Sequence, residues 1–166
     1  MNLQRWTRHL LSSHWSVRRA FPRATMAAIA EAIRTAESAH GGEIRFVVEA
    51  ALEPGELMRG MTPRERAIDV FSQLRVWDTQ HNNGVLIYVL LADHAVEIVA
   101  DRGIHAHEGA DTWRAICGQI EAAFGQADYR AGALLGVAAV AHALKKHFPQ
   151  RGGQPNELPD EPAVLS

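Results

Sequence analysis

The sequence predicts an α/β protein: a three-layer α/β/α sandwich around a small mixed sheet with a parallel β-α-β unit and an antiparallel hairpin. Three observations point there. Val85–Ala92 is an unbroken apolar run, as expected of a central strand covered on both faces. The next run, AVEIVA at 95–100, follows after only Asp93-His94, the spacing of a hairpin. Segments of helical period lie before, between and after the strands, so helices can cover both faces of the sheet.

The elements follow in order. Met26, Ile29, Ala30 and Ile33 recur at helical spacing, and His40-Gly41-Gly42 ends that helix. Glu43–Ala51 is a strand with Ile44, Phe46 and Val48 on one face. Leu52–Met61, with Pro54, Gly55 and Gly60, reads as a loop. Thr62-Pro63-Arg64-Glu65 is a helix start: a capping threonine, proline in the first turn, and glutamate three after the cap. Its apolar side is predicted to hold Ala67, Ile68, Phe71 and Leu74. After the hairpin, Asp101–Ala110 (DRGIHAHEGA) reads as a polar loop. Asp111 is expected to cap a helix with the stripe Trp113, Ile116, Cys117, Ile120 and Phe124. Asp128 caps a last helix rich in Ala and Gly, small enough to lie close against a neighbour. Asn83-Gly84, at the mouth of the central strand, reads as a tight helix-to-strand connection with Gly84 or Asn83 at positive φ.

The chain has 166 residues, 47% of them hydrophobic, enough for one domain with a substantial core. A formal charge of −2 argues against nucleic-acid binding. The single cysteine, Cys117, excludes an internal disulfide and reads as a buried structural thiol. No stretch approaches the roughly 20 apolar residues of a membrane-spanning helix. Three regions result: a basic, Trp-containing arm over 1–21, a domain over 22–149, and a tail over 150–166 read as disordered. The arm combines Arg5, Arg8, Arg18 and Arg19 with Trp6, Leu10, Leu11, Trp15 and Phe21. It reads either as an arm docking its tryptophans on the domain or as an interfacial helix in peripheral contact with a membrane.

Neither a phosphate-binding glycine loop nor HExxH nor GxSxG occurs. Polar residues cluster instead before the central strand and after its hairpin partner. Because those strands are antiparallel, the two clusters meet at one edge of the sheet. That geometry is expected to gather Asp78, Asn82, Asn83, Asp101 and Asp111, oxygen donors suited to a hard cation such as calcium. Arg102, His105 and His107 complete the rim, and His105-x-His107 with Glu108 would suit zinc. The alternative is a solvated rim of caps and turns.

NNGVLIYVLLADHAVEIVADRGI resembles the centre of TPM domains, and FGQADYRAGALLGVAAVAHAL resembles their closing segment; the match covers about Ala24 to Phe148. The resemblance implies a Rossmann-like α/β/α fold. It also implies several functional precedents: thylakoid relatives associated with photosystem II repair and called acid phosphatases, others that bind calcium, and many with no known activity. Asn82 stands where these domains often carry aspartate, and Asp101-Arg102-Gly103-Ile104 reduces their glycine pair, which weakens a cation site. Bacterial relatives often carry a signal peptide, an anchor and a Gly-rich tail. This chain resembles a soluble short form, cytoplasmic and peripheral to the inner membrane face.

Two readings result. One is a non-catalytic accessory module acting with a membrane protein or a protein assembly. The other is a metal-dependent phosphatase in which Asp101 or Asp78 is nucleophile or ligand and Arg102 and His105 balance phosphate charge.

Overall fold

The computed structural model describes residues 3–150 and 152–165; Met1 and Asn2 of the arm and Arg151 and Ser166 of the tail lie outside the described residues. The elements are α1 (Leu3–Leu11), α2 (His14–Ala20), α3 (Arg23–Glu37), β1 (Glu43–Glu49), α4 (Pro54–Met58) and α5 (Pro63–Gln73). They continue with β2 (Gly84–Leu90), β3 (Ala95–Ala100), α6 (Arg102–Gly125), α7 (Tyr129–His147) and β4 (Ala163–Leu165). The sheet order is β3-β2-β1-β4, with β2 parallel and β4 parallel to β1, and β3 antiparallel to β2. This is the predicted mixed sheet with one added strand.

The two-residue period of the strands explains the layers. Ile44, Phe46 and Val48 of β1 and Val85, Ile87 and Val89 of β2 face one core with α3, α6 and α7. Val47, Leu86, Tyr88 and Leu90 face the other, with Ala67, Val70 and Phe71 of α5. Every residue of β2 is buried, so its continuous apolar run is what two covered faces require. Thr62 caps α5 with the reciprocal Glu65 box, and Asp128 caps α7, as expected. The helical stripe on α5 lies one position round from its predicted place: Val70 is inside and Ile68 is 45% exposed. Small residues in α7 let α6 come close, since a methyl on Gly136 would lie 2.6 Å from Ile120 Cδ1.

Three further expectations are corrected. The 52–61 stretch contains the short helix α4, opened by a Glu53–Glu56 capping box. DRGIHAHEGA is largely helical, not a loop: Asp101 caps α6 at Arg102, and Gly109, at the non-helical φ 77° and ψ 168°, divides α6 into two helical segments. Asp111 therefore lies in the first turn of the second helical segment, two residues past the break, rather than at its cap. The tail is ordered along the sheet. Val47–Glu49 pair with Ala163–Leu165, Leu158 is buried, and Arg45 Nη1 donates to the carbonyls of Pro159 and Glu161. Composition marked it as disordered because its anchor points are few and remote in sequence.

Two polar devices fix the sheet. At the carboxyl end of β1, Glu49 is only 2% exposed and receives Arg66 through Nε at 2.9 Å and Nη2 at 2.6 Å, while Tyr88 Oη also donates to it. Arg66 reaches on to Glu56 of α4 at 3.2 Å. On the free edge of β3, the Val96 amide donates to Glu121 at 2.9 Å and the Ile98 carbonyl accepts from Arg64 at 2.6 Å. These side chains occupy the groups that an incoming strand would use.

The Asn83-Gly84 connection differs from its predicted form. The positive φ, 52°, falls on Asn82. Gly84 is required for space: a methyl there would stand 2.0 Å from the carbonyl oxygen of Val76. Gly84→Ala is expected to destabilise the fold by about 2 kcal/mol or more through overpacking against backbone. Urea unfolding measures this; a stability within error of the parent would show that the 74–83 connection yields freely.

Candidate functional site

The two predicted loops do meet. β2 begins where β3 ends, with Val85 opposite Ala100. The Asp101 amide donates to the Gly84 carbonyl at 2.9 Å, and the Gly103 amide donates to the Asn82 carbonyl at 2.9 Å. Asn82 Oδ1 accepts from Arg102 Nη2 at 3.4 Å. Asn83 is fully buried; its amide donates to Thr79 Oγ1 at 3.1 Å and its Nδ2 to the Gly41 carbonyl at 2.7 Å. It thereby ties the start of β2 to the turn before β1. Asp101 Oδ1 accepts from the Arg102 amide at 2.7 Å. Among the described residues, the buried Asn83 Oδ1 and Asp101 Oδ2 find no hydrogen-bond partner.

The remaining predicted residues lie elsewhere. Asp78 is exposed beside Arg75, 3.8 Å away, and Asp111 is exposed against Arg114 at 2.5 Å. The helical form of 102–108 explains the histidines, because positions two apart on a helix point about 200° from each other. His105 lines a cleft of about 530 Å³ beside β3 with Trp113 and Cys117. His107 stacks on His147, ring centroids 4.7 Å apart, and Glu108 accepts from His147 Nε2 at 2.6 Å. Among the described residues, no three His, Cys, Asp or Glu side chains converge as a metal site would require. Asn82, Asn83 and Asp101 alone, with one carboxylate among them and Arg102 opposing, do not fit a calcium ion that takes six to eight oxygens. The phosphatase residues are not joined through their side chains: Asp78 pairs with Arg75, and His105, whose amide donates to the Asp101 carbonyl at 2.9 Å, lines the cleft beside β3.

Sequence reasoning missed the polar surroundings of the start of β1. A cleft of about 230 Å³ is lined there by Arg34, Glu37, Glu43, Glu157 and Asp160, and it shares Gly41 and Gln154 with a second of about 220 Å³ lined by His81, Asn83 and His147. The Leu158 amide donates to Glu43 Oε2 at 3.0 Å, and the Ile44 amide to Glu37 Oε1 at 2.8 Å. Burial above all, then the negative Glu43 and Asp160, push Glu37 up to about 8 against the pull of the Ile44 amide. Burial likewise pushes Glu43 up to about 6. The available signal was the run of acids in the tail, Glu157, Asp160 and Glu161, which composition assigned to solvent.

The opposite end of the sheet, the carboxyl end of the parallel strands, is where open α/β folds usually bind ligands. Here α1 covers it. Asp93, in the turn after β2, accepts from Arg5 Nη2 at 2.8 Å and from His9 Nε2 at 3.0 Å. The Leu52 amide donates to His9 Nδ1 at 3.0 Å, so Nε2 carries the proton shared with Asp93. Arg5 also reaches the Met61 carbonyl at 2.7 Å, and Trp6 packs on the core beneath. Burial of Asp93 is outweighed by Arg5 and His9, which hold its carboxyl below the ordinary range.

An α/β/α domain with one end of its sheet clamped by an amino-terminal helix and the other closed by an acidic tail is the class of protein these features define. The family model described as TPM domain matches residues 18–143, and the chain belongs to this family. Among solved structures, it resembles the BA42 protein of the psychrophilic bacterium Bizionia argentinensis at 33% identity, over 86% of this chain and 93% of that one, with a TM-score of 0.75. The N-terminal domain of a P. gingivalis protein shares the fold at 20% identity, over 78% and 81% of the two chains, with a TM-score of 0.61. No curated protein matches.

Two predictions arise here. Glu37 and Glu43 hold protons more tightly folded than unfolded, where a glutamate titrates near 4.5. Their stabilisation is therefore complete below that value and is lost as pH rises through about 6 for Glu43 and about 8 for Glu37. The melting temperature of Glu37→Gln is expected to fall less steeply over this window than that of the parent; parallel curves would refute the assignment. Asp93 has the opposite sign, stabilising above the unfolded carboxylate pKa and less as pH falls through its folded value. Asp93→Ala leaves Arg5 and His9 without their carboxylate and is expected to lower stability by about 3 kcal/mol, read by urea unfolding. A loss below about 1 kcal/mol would mean that the clamp carries little of the arm's attachment.

Proposed function

We propose that this chain is a non-catalytic binding module that docks, through its amino-terminal helix pair, onto a membrane-associated protein assembly at the cytoplasmic side. The observation that carries this reading is the orientation of α1. A helix on a soluble domain ordinarily turns its apolar stripe inward. Here Arg5 and His9 point in, to Asp93, while Leu3, Leu10 and Leu11 are exposed. Trp15, at the start of the adjoining α2, is 67% exposed. Of the arm's two tryptophans, Trp6 docks on the domain and Trp15 stays exposed. Exposed large apolar side chains grouped in this way mark an interaction surface.

Affinity capture from solubilised membranes tests the reading, with the full chain and with Leu10→Ser/Leu11→Ser as baits. Both substituted positions face solvent, so the fold is expected to be unaffected. The double variant should lose the proteins that the parent retains, and identical retained sets would remove the helix pair from the function.

A further inference from the structure

We propose that the helix pair α1–α2 binds the surface of an anionic phospholipid bilayer directly, lying in its plane. The inference rests on the docking reading above and names the chemistry that the helix pair meets. Its first support is charge. The first 30 residues contain no Asp or Glu but carry Arg5, Arg8, Arg18, Arg19 and Arg23, whereas the whole chain has a formal charge of −2. Arg5 is committed to Asp93, Arg8 is half-exposed and reaches the same carboxylate at 3.8 Å, and Arg18 and Arg19 are exposed on α2. The second support is the placement of apolar side chains among these arginines. Leu3 is 72% exposed, Leu10 69% and Leu11 82%. Leu3 and Leu10, seven apart, share one face of α1, and Leu11 adjoins it. Trp15, whose ring lies 5.6 Å from the Arg19 guanidinium, brings an amphipathic ring of the kind that favours the headgroup region.

Charge decides between occupants. A second copy docked symmetrically would set the same arginines against each other, because a two-fold interface repeats each residue on both sides. An anionic lipid surface offers negative charge and an apolar boundary together, which is what this face presents in complement. Nine residues of α1 extend about 14 Å along the helix axis, far short of a bilayer. No helix among the described residues is long and apolar enough to cross a membrane. The pair thus lies on the surface, and the clamp at Asp93 orients the domain against it.

Sedimentation of the full chain with vesicles tests the proposal, using phosphatidylcholine alone and phosphatidylcholine mixed with phosphatidylglycerol. The parent should sediment with the mixed vesicles, far less with phosphatidylcholine, and be released by salt. Arg18→Gln/Arg19→Gln should weaken binding roughly twenty-fivefold, about fivefold for each arginine near the surface. Leu10→Ser/Leu11→Ser and, separately, Trp15→Ser should weaken binding with unchanged thermal melts. Failure of the parent to sediment with the mixed vesicles overturns the proposal, and so does binding of all variants as tight as that of the parent. If the vesicles fail while membrane capture still depends on Leu10 and Leu11, the partner is a protein and the docking reading stands. If both fail, both readings fall.

Discussion

The carboxylate of Glu49 constrains more of this molecule than any other group. It sits at the carboxyl end of the central strand pair, almost without solvent contact, and a charge so placed destabilises the fold unless it is closely paired. Arg66 supplies the pairing in fork geometry, Tyr88 adds its hydroxyl, and Glu56 takes the remaining side of the guanidinium. Burial, followed by the negative Glu49, pushes the Tyr88 phenol far above its ordinary value, so it remains a donor. Four elements are thereby set relative to one another: β1, β2, α4 and α5. The apolar contacts of that layer would tolerate some sliding of α5, but a bidentate ion pair does not.

With α5 fixed, the two ends of the sheet acquire different characters. At the carboxyl end of the parallel strands, space that open α/β folds commonly give to a ligand is filled by Trp6 and the Arg5–His9–Asp93 clamp. At the other end, polar clefts remain beneath the tail, walled by carboxylates that hold their protons unusually tightly. The clamp also explains the unusual exterior of α1. Since its polar side chains are needed inside, its leucines are left outside. An internal ion pair and an external apolar face are two aspects of one helix orientation.

Much of the architecture was legible because it rests on local signals. The alternation in β1, the unbroken run of β2, the spacing of the hairpin, and the caps at Thr62 and Asp128 each depend on residues close in sequence. The meeting of Asn82, Asn83 and Asp101 was legible too, since antiparallel pairing alone brings those loops together. Asp78 and Asp111 were misplaced for different reasons. Asp78 precedes β2 by several residues and turns back to Arg75, while Asp111 is carried away by a helix that polar composition disguised as a loop. Gly84 was recognised as necessary for the wrong reason. Torsional freedom can be inferred from a dipeptide, but a carbonyl oxygen from Val76 closing over it cannot. The same limit hid the orientation of α1, whose inward partner Asp93 lies 88 residues from Arg5.

The fourth strand has a consequence for how the chain acquires its structure. The helices and the β2–β3 hairpin close over short sequence distances, but the tail reaches the start of β1 across 115 residues, where Leu158 meets Glu43. Contacts of such separation form after the local ones, because the entropy of closing the long loop must be overcome before they contribute. The outer edge of β1 is therefore expected to be covered later than the edge of β3, which Arg64 and Glu121 cap from neighbouring helices. The edge of β1 is thus expected to be the last to gain its partner, and self-association during refolding is expected to begin there.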